Sequence, residues 1–179
     1  MTQYVALLRA INVGGNNKVT MGALRELASG LGWKTPRTLL TSGNLGFEAE
    51  ASSAHVLEEA LETAVAGALQ VYVDVIVRTA SAWHAAISAN PFPEMAATDP
   101  GHLVLMSLKA TAEINGIATL NAAITGRESA RIAGQNLYIT YPDGIGSSKL
   151  TASLIETRLG TRGTARNWNT VLKIGEMMM

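Results

Sequence analysis

The 179-residue chain contains no cysteine, which excludes disulfides, thiolate nucleophiles and cysteine-ligated metals. Aromatic residues make up only 5% against 47% hydrophobic residues in all, so the core is expected to be mostly Ala, Leu, Ile and Val. No apolar run reaches the roughly 18 residues that span a bilayer, so no membrane partner is expected. The opening "MTQYVALLRA" breaks its apolar run at Arg9 and lacks a basic start, unlike a signal peptide. Together these features lead us to expect a soluble cytoplasmic protein of bacterial style. Signatures of common chemistries are also missing. There is no G-x-S-x-G elbow, no Walker loop and no G-x-G-x-x-G. The three histidines, His55, His84 and His102, sit in unrelated contexts without the spacing of a metal site. No metal and no cofactor are expected.

Net charge is zero, yet the charges are segregated. Residues 1–47 carry Arg9, Lys18, Arg25, Lys34 and Arg37 against Glu26 alone. Residues 48–74 carry five glutamates and Asp74 with no cation, and the helix within this acidic segment reads as having a solvated face. Residues 144–179 are basic again, with Lys149, Arg158, Arg162, Arg166 and Lys173. Two basic ends could converge on an anion.

Hydrophobic periodicity gives the elements. Tyr4 to Leu8 reads as a strand covered on both faces. Thr20 is expected to cap a helix that Gly30 and Gly32 end. "RTLLT", the turn "SGN" and "LGFEAE" read as a hairpin. Ser52 or Ser53 caps a long helix to about Leu69, "VYVDVIV" is a strand that Arg78 ends, and Thr79 caps the next helix. Asn90 to Gly101 reads as a Pro-rich polar linker. The second half then repeats the order, with strand "HLVLMSL", a helix over 111–123, the hairpin "SARIA"/"LYITY", a helix capped by Ser147 or Ser148, strand "GTAR" and a helix from Thr170. Asn169 is expected to cap that last helix. Ser42-Gly43-Asn44 and Gly134-Gln135-Asn136 fall at equivalent turns, and Arg78-Thr79 and Arg166-Asn167 at equivalent strand ends. The expected fold is α+β: a tandem pair of ferredoxin-like β-α-β-β-α-β units related by a pseudo-dyad, over residues 1–90 and 102–179 with 91–101 as linker. A single α+β sheet of mixed topology is the alternative.

Two glycine-rich loops suit anions. "NVGGNNK" offers Gly14 and Gly15, whose backbone N–H groups no side chain covers, with Lys18 beside them. Asn12, Asn16 and Asn17 could equally satisfy turn geometry there. "YPDGIGSSKLT" places Gly144, Gly146, Ser148 and Lys149 at an expected helix start, where N–H groups and the helix dipole favour anions, although Ser148 could simply be a cap. Asp143 in that loop is a candidate base with nothing in the sequence to tune it. Near the C-terminus, "GTARNWNTV" sets Arg166, Asn167 and Asn169 around Trp168, more polar groups than one helix cap needs; Trp168 itself could equally be core.

The segments "LLRAINVGGNNKV", "LLTSGNLGF", "VRT", "NPF", "GIGSSKLT" and "TARNWNTV" occur in an order that resembles a bacterial family, domain of unknown function family 1697, over essentially the whole chain. The resemblance implies two ferredoxin-like halves and a cytoplasmic protein, and it implies no activity. This chain departs from the family pattern at Ala10, where glycine is commoner, and at Ser147, a position often basic or amide. The reading of the residues adds a ligand-binding set: Arg9, Asn12, Gly14, Gly15, Lys18, Ser42, Asn44, Arg78, Ser148, Lys149, Arg166, Asn167 and Trp168. Three arginines, two lysines, amides and glycine N–H groups with few carboxylates form the inventory of a cleft for a phosphorylated small molecule or nucleotide. A transferase-type enzyme using that cleft, a nucleic-acid-binding module, and a purely structural role for these residues are the competing readings. The scarcity of aromatics and the absence of an RNP-type stretch weigh against nucleic acid.

Overall fold

The structure, a computed structural model, describes residues 1–15 and 17–179; Asn16, one of the loop asparagines named above, lies outside the described residues. The chain forms two compact units, Met1–Ala85 with Lys173–Met179, and Ala86–Leu172. The first contains β1 (Thr2–Leu8), α1 (Met21–Gly30), β2 (Lys34–Leu39), β3 (Asn44–Ala49), α2 (Ala54–Leu69), β4 (Val75–Thr79) and most of α3 (Ala80–Ser88). Its antiparallel sheet runs β2-β3-β1-β4. Thr20 and Ser53 accept from the Ala23 and Val56 amides and cap α1 and α2, as their sequence positions suggest.

Alternation along the strands decides the core. Tyr4, Ala6 and Leu8 share a face with Leu45, Phe47, Val75 and Val77, and there Leu24 and Ala28 of α1 and Leu57, Leu61 and Val65 of α2 pack. Phe47 is stacked between Trp33 (3.9 Å between ring centroids) and Tyr4 (5.5 Å). Val5, Leu7 and Ile76 point to the other face and are equally buried.

The acidic helix α2 differs from a wholly solvated face. Glu58 is only 4% exposed. Its carboxylate accepts the Val77 N–H at 2.9 Å, and one turn later Glu62 accepts the Val75 N–H at 2.8 Å. β4 is an edge strand, so these acids face its open N–H groups and supply the missing acceptors.

The second unit contains α4 (Pro93–Thr98), β5 (Leu103–Leu108), α5 (Gly116–Ala123), β6 (Ser129–Ala133), β7 (Asn136–Thr140), α6 (Ala152–Leu159), β8 (Gly163–Asn167) and the start of α7 (Trp168–Met177). Its antiparallel sheet runs β6-β7-β5-β8, and Val104, Met106, Leu108, Leu137 and Ile139 pack with Leu120, Ile155 and Leu159. Details repeat between the units. The Leu8 N–H donates to the Gly43 carbonyl and the Leu108 N–H to the Gln135 carbonyl, both at 2.9 Å. Glu156 of α6 accepts the N–H of Gly163 on edge strand β8, as Glu62 does for Val75.

Several expected boundaries shift. β4 begins at Val75 rather than Val71, and β2 ends at Leu39 so that the first hairpin's loop spans residues 40–43. The polar stretch 90–101 carries α4, entered through Pro93 at a helix start. α5 begins at Gly116 rather than 111, because the Ala110 and Glu113 amides donate to Thr161 Oγ1 and the Leu159 carbonyl instead of to a helix. α6 is capped by Thr151, which accepts from Leu154, not by Ser147 or Ser148. α7 starts at Trp168 because Asn167 Oδ1, not Asn169, accepts the Thr170 N–H at 3.0 Å.

Candidate functional site

The loop between β1 and α1 is built by one residue. Asn12 is left-handed (φ 56°) and its amide is fully engaged. Oδ1 accepts the Val19 N–H at 3.0 Å, and Nδ2 donates to the carbonyls of Val19 at 2.9 Å and Thr41 at 2.8 Å. The same residue therefore closes the loop and ties it to the β2–β3 turn. Ala10, Gly14, Gly15 and Asn17 are also left-handed. Such a conformation strains Ala, is better tolerated by Asn and costs Gly nothing. Gly14 and Gly15 are exposed, with nothing within 4 Å of where a Cβ would lie. Gly43 in the facing turn is the reverse case, since a Cβ there would lie 2.7 Å from Ile11 and 2.8 Å from Leu8. Asn44 is fully buried and donates to the Leu39 carbonyl and Ser42 Oγ.

The structure thus brings Asn12, Gly14, Gly15, Lys18, Ser42 and Asn44 to one end of the first sheet. Arg9 joins them at the end of β1, where its N–H donates to the Asp74 carbonyl and its guanidinium lies 3.9 Å from the Asp74 carboxylate. Lys18 is exposed. Arg78 does not join this group. β1 and β4 are antiparallel, and Arg78 pairs with Val5 while Val75 pairs with Leu8, so Arg9 and Arg78 leave opposite ends of the sheet. Arg78 donates to the Val77 carbonyl at 2.9 Å. Burial lowers its pKa, and the charge of Glu58 offsets part of that.

In the second unit Arg166 occupies the matching place, opposite Leu105 on β5. It is 8% exposed and donates from Nη1 to Thr164 Oγ1 at 2.8 Å and to the Ala165 carbonyl at 2.9 Å. Burial pushes its guanidinium down to about 10. By strand alternation it lies on the sheet face of Leu105 and Thr164, away from the α5 and α6 side. Trp168 is buried, and Asn167 is engaged as the α7 cap.

The loop 141–151 sits at the same sheet end, since the Tyr141 N–H donates to the His102 carbonyl just before β5. Its glycines do not open directly onto a helix. Ser148 instead donates to the Glu128 carboxylate and accepts the Leu150 N–H at 3.0 Å, while Ser147 donates to the Asp143 carbonyl at 2.8 Å. Asp143 accepts from two Arg127 nitrogens, Nε at 2.9 Å and Nη2. That hydrogen bond keeps its carboxyl below the usual range, so Asp143 is an ion-pair partner rather than a tuned base. The Ser148 hydrogen bond likewise lowers Glu128. Lys149 is exposed. Arg127 and Glu128, which brace this loop, were not legible in the sequence because they lie on a different connection.

His55 and His102 each meet one carboxylate, Glu59 at 3.3 Å and Asp99 at 2.6 Å. Among the described residues no group of three or more His, Asp or Glu could hold a metal ion, and no helix is long and apolar enough to cross a membrane.

The fold has a solved counterpart. The conserved bacterial protein SP0830 from Streptococcus pneumoniae superposes with a TM-score of 0.78 over 99% of both chains at 23% sequence identity, a likeness of fold. No match is found among curated proteins. The model of the family described as "Protein of unknown function (DUF1697)" matches residues 1–138, more than three quarters of the sequence, and the chain belongs to that family.

Proposed function

We propose that the protein binds an anionic ligand, phosphorylated or nucleotide-like, at the Arg9–Lys18 loop of the first unit. One observation carries this reading: five described residues between Ala10 and Asn17 are left-handed, and Asn12 holds the loop from within. Three of the five are not glycine. Such backbone costs about 1 kcal/mol or more at Ala10, and less at the two asparagines, and persists where the surroundings enforce it. What it yields here is an exposed, side-chain-free backbone at Gly14 and Gly15, flanked by Arg9 and Lys18. Backbone N–H groups plus two cations suit phosphate oxygens. Thermal shift against inorganic phosphate, pyrophosphate and nucleotides tests it. A ligand-induced rise in Tm that Lys18→Ala and Gly15→Ala both diminish is the expected result. No rise with any of these probes would refute it.

A second reading rests on the hydrogen bonds of Asn12, Asn44 and Asn167. Each amide is engaged in a loop, turn or cap, which favours a structural role for these signature residues. In that case all three substitutions to alanine lower stability, and no anion raises it.

The same proposal extends to descent. Residues 1–90 and 102–179 are read as two ferredoxin-like copies joined by 91–101. The support is the matching strand orders β2-β3-β1-β4 and β6-β7-β5-β8, and the paired caps, in which Thr79 accepts from Ala82 and Asn167 from Thr170.

A further inference from the structure

We propose that the β6 edge of the second sheet docks an extended, acidic segment of a partner protein by strand addition. The inference starts from a contrast among the four sheet edges. A bare edge strand invites pairing with another chain, and proteins block it with proline, bulges or side-chain caps. β2 carries Pro36, a register shift between Lys34 and Arg37, and left-handed Thr35. β4 is capped by Glu58 and Glu62, and β8 by Glu156. β6 has no proline, and its register to β7 is unbroken over five pairs.

The hydrogen-bond phase shows which β6 groups are open. The two-residue turn Gly134-Gln135 makes Ala133–Asn136 a hydrogen-bonded pair. Bonded pairs alternate along an antiparallel ladder, so Arg131–Tyr138 and Ser129–Thr140 follow. The N–H and C=O groups of Ala130 and Ile132 therefore point away from the sheet. Among the described residues no side chain caps them. Beside them lies a groove of about 580 Å³ between this strand and α5, lined by Ile117, Asn121, Ile124 and the Glu128 carboxylate as well as by β6 itself. An incoming strand finds four backbone groups in register and, beside them, a groove of mixed polar and apolar lining for alternate side chains.

Charge selects the occupant. Two copies of this chain paired through β6 would use the same four groups by centring on Arg131, which sets Arg131 against its own copy at the closest cross-strand spacing. Like charges directly opposite destabilise a sheet. Arg131 is exposed, with its guanidinium 5.8 Å from the Phe92 ring centroid. A carboxylate opposite Arg131 fits instead, because strand alternation sets it on the sheet face away from the groove and its Glu128, while two small uncharged apolar residues beside it face the groove.

The test uses the full chain labelled with 15N and two probes, acetyl-Thr-Val-Asp-Val-Thr-amide and its counterpart with Lys in place of Asp. The Asp peptide should shift the Ala130 and Ile132 amides and bind about fivefold more tightly than the Lys peptide, as an opposed charge pair in a sheet would give. Ala130→Pro should abolish binding while leaving the ladder to β7, because the lost N–H points outward. Should that variant fail to fold, Arg131→Glu keeps the test open, since it should invert the preference between peptides. No amide shift at millimolar peptide, equal binding of both peptides, or an Arg131→Glu variant that still prefers Asp would each overturn the proposal. A dimer in sedimentation that Ala130→Pro dissolves would overturn it in favour of a second copy.

Discussion

The carboxylate of Glu58 accepts the backbone N–H of Val77 at 2.9 Å, and both residues are buried. Glu58→Ala would leave a buried edge N–H without this acceptor, a loss worth about 1–3 kcal/mol. Glu58→Gln keeps an acceptor oxygen but gives up the attraction to Arg78, and should fall between the two. Urea unfolding of the three proteins gives the order, and faster hydrogen exchange at Val77 in the alanine variant would locate the loss at β4. Equal stability of wild type and Glu58→Ala would show that the bond contributes nothing.

Glu58 also illustrates what was legible in the sequence. Its position was readable: Glu58 and Glu62 fall one turn apart, on the stripe of Leu57, Leu61 and Val65. Six acids without a cation still suggested a solvated helix, because charge content does not say which strand edge a helix will cover. The order of strands and helices in both units was legible because alternation and turn residues are local. The first hairpin was legible for the same reason, although its loop spans residues 40–43 rather than 42–44 and Asn44 already pairs with Leu39. What failed was the choice between adjacent hydroxyls and amides. Ser148 and Thr151, like Asn167 and Asn169, are equally good caps by residue type. Partners far along the chain decide between them, Glu128 for Ser148 among them. Convergence of Arg9 and Arg78 failed because both end strands, yet the strands run in opposite directions.

The cap of α7 gives a direct comparison. Asn167→Ala should cost about 1 kcal/mol, the usual value of a lost N-cap. Asn169 lies within the first turn and is exposed, so Asn169→Ala should change stability by less than about 0.5 kcal/mol. Thermal denaturation of both variants suffices, and a larger loss at Asn169 would contradict the cap assignment.

Asn12 should behave differently from an ordinary loop residue. Asn12→Ala removes three hydrogen bonds and places a Cβ-bearing residue without a polar side chain at φ 56°. Asn12→Gly removes the same bonds but tolerates the backbone. The alanine variant should be less stable than the glycine variant by about 1 kcal/mol. If the loop binds an anion, both variants should also lose the Tm rise produced by that anion, because the backbone it needs is no longer held. A variant that keeps the Tm rise at wild-type size would separate loop geometry from binding.

Tyr141 makes stability depend on alkaline pH. Its ring is buried and its hydroxyl donates to the Leu150 carbonyl at 3.2 Å. Burial, aided by the Glu128 charge, pushes the phenol up to about 12 from an ordinary value of 10.0. The folded state therefore holds this proton more tightly than the unfolded chain. The resulting stability is fully present below pH 10 and is lost as pH rises from there to about 12. Arg166 opposes this in an overlapping range. Its pKa is lowered by burial to about 10, so the unfolded chain holds that proton more tightly and stability gains as pH rises. Comparison with Tyr141→Phe cancels the Arg166 contribution, which both proteins share. Phenylalanine should cost about 1 kcal/mol near neutral pH through the lost hydrogen bond, and that deficit should shrink or reverse between pH 10 and 12. Urea unfolding of both proteins at pH 8, 10 and 11 measures the difference. A deficit that stays constant across this range would mean that the Tyr141 phenol ionises in the folded protein as readily as in the unfolded chain.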